Sequence, residues 1–375
     1  MLEEQYIRNA FPDIAAVPVP LLTSLSLPLD QAVSGLLDNM LLEEQAELHP
    51  EWEEVFLQRV RDALERALIK RDTDAANAVH RTLFLLYELH VVDGASPRAA
   101  NQFNPSLTRV RRCIERAWLD NEMRRVGDEC PAHLDGSALT QRLKRLWVQH
   151  PVASHPLFDF LERSASLEQI VAFFKSDSAL NIRFFDLLVY SMIGSREGVR
   201  RELAQNFWDE SGRGDAARSH VTLFRSLLST VGVSSASDDH ASELGWQGLA
   251  GYNLFMLSSV NRQHYFKLLG IMAMTELLDP SQYEKLARGC RRVGLGRDAE
   301  LDYYDEHVTI DVIHGEGWLS NVIVPIVNET PTVAKDILVG ASLRMATCND
   351  YYDALLARLI EMGQQQAGEQ ISMAA

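Results

Sequence analysis

The sequence lacks a stretch able to cross a bilayer, an excess of positive charge, and cysteines spaced to pair. Its most apolar run, Leu268 to Leu278, contains Thr275 and Glu276 and falls short of the ~20 apolar residues a spanning helix needs. The four cysteines, Cys113, Cys130, Cys290 and Cys348, lie far apart with no CxxC spacing. That argues against a disulfide frame or a thiolate zinc site and fits buried thiols in a reducing cytosol. Lys and Arg number 36 against 52 Asp and Glu, a formal net charge of −16, so neither nucleic acid nor an anionic membrane is expected as a partner. The start, Met1-Leu2-Glu3-Glu4, has no basic segment leading into an apolar one. No signal peptide is therefore expected, and a cytoplasmic location is. No alternating strand pattern of useful length is present, and no repeat. What remains is an all-α protein of ordinary globular composition, 46% hydrophobic and 23% charged.

With 375 residues the chain is long enough for two or three domains. The opening 30 residues carry prolines at 12, 18, 20 and 28 and read as an extended arm. Helical patterns come next: 29–48, Pro50 to about Ile69, Thr73 or Asp74 to Val92, Ser106 to about Val126, and Ser137 to Val148. His49, His80, His90 and Glu88 are scattered among them and read as structural or surface residues. Two His-Pro steps, at His150 and His155, disfavour helix before each proline. They set the expected domains at 1–148, a helical packing or dimerisation domain, and 149–375. Beyond the boundary, helices are expected at 166–175, 180–193, 198–209, 264–278 (closed by Asp279-Pro280) and 281–293, with one or two more from Thr330. Val231 to Gly245 reads as a surface loop, and the tail from Gln364 as frayed.

The chemistry concentrates in Tyr304-Asp305-Glu306-His307-Val308-Thr309-Ile310-Asp311-Val312-Ile313-His314. His307, Asp311 and His314 stand at i, i+4 and i+7, which at about 100° per residue places them within roughly 60° of arc. Two imidazoles and a carboxylate on one stripe suit a transition metal such as iron or manganese. Glu306 points about 100° away from His307 and is expected to be dispensable. The bland alternative is a polar face with two incidental histidines.

Other segments weaken that alternative. Asp186, Glu210, Glu276 and Asp311 are carboxylates in otherwise apolar helices, where a charge is costly unless paired or metal-bound. His220 follows Glu210 across Gly212 and Gly214, glycines that bend the chain and help the two converge. Carboxylates and imidazoles from facing helices are how bundles hold a dinuclear iron or manganese pair.

The order is Glu-x-Gly-x-Gly with a His ten after the Glu, an apolar helix ending in Glu and Pro, a Gly-Leu-Gly turn, then His-x3-Asp-x2-His. It resembles the haem-oxygenase-like diiron oxidase and oxygenase superfamily over roughly residues 150–362. The resemblance implies a seven-helix haem-oxygenase-like bundle holding two non-haem irons, no haem, and O2 as cosubstrate. By position, Glu210, His220, Glu276, His307, Asp311 and His314 carry over as ligands. The family's first-helix ligand is usually a glutamate, and the carboxylate placed for it here is Asp186, one methylene shorter. Members with a helical N-terminal dimerisation domain include amine and amino-acid N-oxygenases of natural-product pathways. The resemblance therefore implies a homodimeric oxygenase that forms a hydroxylamine, nitroso or nitro group on a small amine or amino acid, with an external electron donor.

Two alternatives stay open. One is oxidative C–C cleavage, decarboxylation or desaturation of an amino or fatty acid. The other is a helical binding protein with a degenerate metal site. Tyr190, Trp208, Phe224 and Trp318 are candidates for the pocket wall, although core packing is the commoner role for such aromatics. Arg183, Arg213, Arg225 and Arg262 are candidates to hold an anionic group.

Overall fold

A computed structural model describes residues 17–127, 134–234, 241–297 and 300–374. Every regular element among them is helical, with no strand, as expected for an all-α protein. No described helix is long and apolar enough to cross a membrane. The chain forms two compact units, Met1–Arg125 and Val126–Ala375.

The first unit contains α1 (Val19–Ser24), α2 (Leu29–Leu37), α3 (Leu42–Leu48), α4 (Pro50–Leu64), α5 (Thr73–Glu88) and most of α6 (Pro105–Val126). Residues 1–16 of the expected arm lie outside the described residues. The rest of it is helical instead, because Pro18 and Pro20 flank α1 at its start, where proline is tolerated. Trp52, Phe56, Leu83, Phe84 and Trp118 fill the core. The Trp52 indole donates to Leu21 O at 3.1 Å and ties α1 to α4. His80 packs edge-on to Trp118, 5.2 Å between ring centres, and burial lowers its pKa to about 4. It is a neutral core histidine, as its scattered setting implied.

The second unit opens with α7 (Gly136–Gln149) and α8 (Pro156–Arg163). The sequence placed the boundary after α7, at 148/149, whereas contacts place α7 in the second unit. It packs on α15 (Val324–Glu329) and α16 (Ala334–Ala374). The Gly136 amide donates to Asn328 Oδ1 at 2.8 Å, and a Cβ at Gly136 would meet Val324 O at 2.6 Å. The two His-Pro steps are helix caps: His150 Nδ1 accepts from Val152 N and His155 Nδ1 from Leu157 N.

Next come α9 (Leu167–Met192), α10 (Arg200–Glu210), α11 (His220–Thr230), α12 (Gly245–Val260), α13 (Tyr265–Arg292) and α14 (Asp302–Gly317). Two expected pairs are each a single helix. Segments 166–175 and 180–193 fuse in α9, started by a Ser166–Gln169 capping box. Segments 264–278 and 281–293 fuse in α13, which runs through Pro280. Part of the expected loop, residues 235–240, lies outside the described residues, and α16 continues past Gln364 to Ala374.

Helix α13 is the axis of this unit, packed on α8, α12, α14 and α16. Its approach to α16 is backbone on backbone. A Cβ at Gly270 would lie 2.0 Å from Ile337 O, and one at Gly340 would lie 2.1 Å from Lys267 O. Only glycine permits that contact, which fixes how the carboxylates of α13 face their neighbours.

Candidate metal centre

Four helices deliver the site. Helix α10 ends on Glu210, a turn intervenes, and α11 begins on His220. In that turn Gly212 has φ +82, and a Cβ there would strike Asp215 O at 2.2 Å and Ser219 N at 2.6 Å. The reversal brings the two ends together, with Glu210 Oε2 2.7 Å from His220 Nδ1. Helix α13 contributes Glu276. Pro280 has no amide hydrogen for the carbonyl four residues back, that of Glu276, so the proline sits one turn beyond Glu276 without ending the helix. Helix α14 contributes His307, Asp311 and His314, all buried.

These six side chains form two buried triplets, Glu210–His220–His307 and Glu276–Asp311–His314, each with ligand atoms within 4.8 Å of one another. The His220 and His307 ring centres are 4.3 Å apart. Glu210, Glu276, His307 and Asp311 all border one cavity. Both ring nitrogens of His220, Asp311 Oδ1 and His314 Nδ1 are buried with no aligned hydrogen bond. Buried polar atoms are rarely left so. Donor atoms that crowd together without bonding each other are what a site shaped for cations leaves when its side chains are considered alone, and imidazole–carboxylate sets suit iron or manganese.

Outer contacts orient the imidazoles. His307 Nδ1 lies 2.5 Å from Tyr303 O. A carbonyl only accepts, so Nδ1 carries the proton and Nε2 is left as the donor atom. His314 Nε2 lies 3.1 Å from Asp209 Oδ2, while its Nδ1 faces Glu276 Oε2 at 3.6 Å. Asp209 is held in turn by Arg213 at 2.6 Å and Gln205 at 3.2 Å. A carboxylate behind a ligating histidine fixes its ring and raises its basicity. The sequence reading missed Asp209, although it adjoins Glu210.

The electrostatics of the protein side chains show what a cation would relieve. Burial, then the charges of Glu276, Asp279 and Glu210, raises the Asp311 carboxyl well above its usual range. Burial likewise raises Glu276. Burial alone would raise Glu210 too, but His220, His307 and His314 outweigh it and the net shift is downward. Burial and His220 lower His307 to about 4. For His314, burial is outweighed by Glu276 and Asp209, which raise it to about 9.

Asp186 is not brought to this centre. Its carboxylate is 39% exposed and lies 3.6 Å from Arg183, on a face of α9 away from the cavity. The α9 residues that border the cavity are Phe173, Asp177, Leu180, Asn181 and Phe184. Glu306 is less remote than expected: Oε2 lies 3.4 Å from His220 Nε2, and the other oxygen pairs with Arg218. None of Tyr190, Trp208, Phe224 or Trp318 lines the cavity; Tyr283, Tyr303 and Tyr352 do. Trp318 is core, its indole donating to Asn206 Oδ1 at 2.9 Å at the start of a π-helical turn, Trp318–Ile323. Nor do the four candidate arginines reach the cavity. Arg183 and Arg213 pair with Asp186 and Asp209, Arg225 is exposed, and Arg262 binds Ile193 O. The cavity's arginine is Arg344.

An all-helical unit with two carboxylate–imidazole triplets on one cavity has the makings of a dinuclear metal protein. Residues 171–348 match the model of a haem-oxygenase-like family described as iron-containing redox enzymes. A solved structure of a CADD-like protein of unknown function from Nostoc punctiforme is similar at 17% identity and a TM-score of 0.49, covering 60% of this chain and 98% of that one. No curated protein matches the chain.

Proposed function

We propose that the chain is a non-haem diiron oxygenase that uses O2 to N-oxygenate a small amine or amino acid to a hydroxylamine, nitroso or nitro product. The observation that carries this reading is the pair of buried triplets opening on one cavity. Glu210, His220 and His307 would hold one iron, and Glu276, Asp311 and His314 the other. Two ferrous ions would supply electrons for O2 reduction.

The remaining roles fall to the protein's own groups. Tyr303 O and Asp209 fix the proton of His307 and of His314 on the outward nitrogen. Glu306 and Arg218 brace His220 from outside. Phe173, Leu180 and Phe184 keep part of the cavity wall apolar, which limits bulk water. Placing one oxygen atom on an amine, with the other leaving as water, takes two electrons and two protons besides O2, so an external donor belongs to the reading. The first unit would serve homodimerisation, a role supported by the apolar side chains it leaves exposed, among them Met40, Leu41, Leu48 and Phe103.

The test is a single turnover of iron-loaded protein with a panel of amines and amino acids, read by mass spectrometry. A substrate gaining one oxygen on nitrogen supports the proposal. Loss of carbon would move the assignment to oxidative cleavage. A protein that binds no iron would be a binding protein with a degenerate site.

A further inference from the structure

Beside the triplets the cavity is lined by three ionisable side chains that the metal reading leaves unused. Arg344, on α16, is 6% exposed. Its Nε donates to Thr275 Oγ1 at 3.0 Å, and its guanidinium carbon lies 5.1 Å from the centre of the Phe255 ring. Neither terminal nitrogen has a hydrogen-bond or ion-pair partner among the described residues. Asp177 of α9 and Asp279 of α13 line the same cavity. Asp177 accepts one bond, from Asn181 at 2.8 Å, and no described side chain bonds Asp279. Neither carboxylate comes within ion-pair distance of Arg344. Unpaired charge at such depth costs several kcal/mol, and opposite charges lining one cavity without pairing are a poor structural solution. They suit a ligand that brings both complements.

We propose that this part of the cavity recognises an α-amino acid zwitterion, with Arg344 taking the carboxylate and Asp177 and Asp279 taking the ammonium. A carboxylate can accept two parallel bonds from the free edge of a guanidinium. Asp279 lies one helical turn beyond Glu276, so an ammonium held there stands beside the Glu276–Asp311–His314 triplet. Arg344, Asp177 and Leu180 also border a second, smaller pocket, walled by Leu244, Tyr252 and Tyr351. It would take the substrate's side chain. Gly251 is part of its wall, and a Cβ there meets nothing within 4 Å. A plain amine would leave Arg344 unpaired, and a plain acid would face two carboxylates. Burial raises the Asp177 carboxyl to about 6 and Asp279 well above its usual range, the condition a bound cation would reverse.

The inference rests on the adjoining triplets being the reaction centre, but its test does not need turnover. The full chain, anaerobic and iron-loaded, is screened by thermal shift against the twenty common L-amino acids. The best binder is then compared by calorimetry with its decarboxylated amine and its deaminated acid. The expected result is at least tenfold weaker binding when either charge is removed. Arg344→Met should bind the amino acid and the amine alike, and Asp279→Asn should bind the amino acid and the acid alike, with iron content unchanged. Gly251→Leu should shift preference toward smaller side chains. An amine that binds the parent protein as tightly as the amino acid overturns the proposal, as does the absence of any binder among the twenty. Loss of iron in Asp279→Asn also overturns it, by making Asp279 a metal ligand. If a variant does not fold, the three-ligand comparison on the parent still decides. Iron content, read separately, distinguishes failure of the metal centre from failure of this site.

Discussion

At the scale of single residues, the ligands and their supports should fail differently. His314→Ala removes a donor from a buried triplet and should abolish binding of one iron. Asp209→Asn leaves the donor but loosens its ring and should weaken that iron by about 10–100-fold. Asp186→Ala, at a half-exposed residue paired with Arg183, should leave iron content as in the parent. Metal titration followed by plasma emission spectrometry checks all three, and iron loss in Asp186→Ala alone would contradict the site. Asp177 gives a pH test. Its folded pKa is raised to about 6 from 3.8 by burial, so the native state holds a proton that the unfolded chain releases, and stability falls as pH rises through that window. Metal-free Asp177→Asn should match the parent near pH 3.8, gain on it up to about pH 6, and hold a constant advantage above. Denaturation midpoints across pH would show this, and an advantage that shrinks with rising pH would refute it. His307, Asp311 and His314 were legible from their i, i+4, i+7 spacing, the carboxylates from their apolar helices, and the set of six from the family resemblance. Asp177 and Asp279, which lie in the same helices as Asp186 and Glu276, were not singled out in the sequence, and only the fold shows that Asp177, not Asp186, is on the cavity face.

At the scale of elements, the turn between α10 and α11 is the most demanding. Gly212 combines a positive φ with backbone atoms where a side chain would sit. Gly212→Ala should cost at least about 1–3 kcal/mol for the conformation alone. It should also weaken the iron held by Glu210 and His220, while iron at the other triplet persists. Equal stability and full iron loading in this variant would mean that the turn does not set the ligand geometry. Helix existence was readable from apolar periodicity and caps. Helix ends were less so, because Pro280 and residues 176–179 look like breaks locally, yet packing of α13 and α9 against their neighbours carries each helix through. His150-Pro151 and His155-Pro156 look like a linker in one dimension, yet are caps within the second unit.

At the scale of the whole molecule, the chain divides by contacts at Arg125 and Val126, because the partners of α7 lie about 190 residues away in sequence, beyond any local signal. A dimer built on the first unit should show twice the chain mass in light scattering, and paired charges at Met40 and Leu41, both exposed, should return it to a monomer. A parent protein that is monomeric at high concentration would remove that role. The account depends above all on two metals in one helical unit. The most direct measurement is an anaerobic ferrous titration of metal-free protein, read by Mössbauer spectroscopy. Two non-haem ferrous sites per chain, with one lost in Glu210→Ala and the other in Asp311→Ala, is the predicted result. A tightly bound haem, or a single iron insensitive to either substitution, would contradict it.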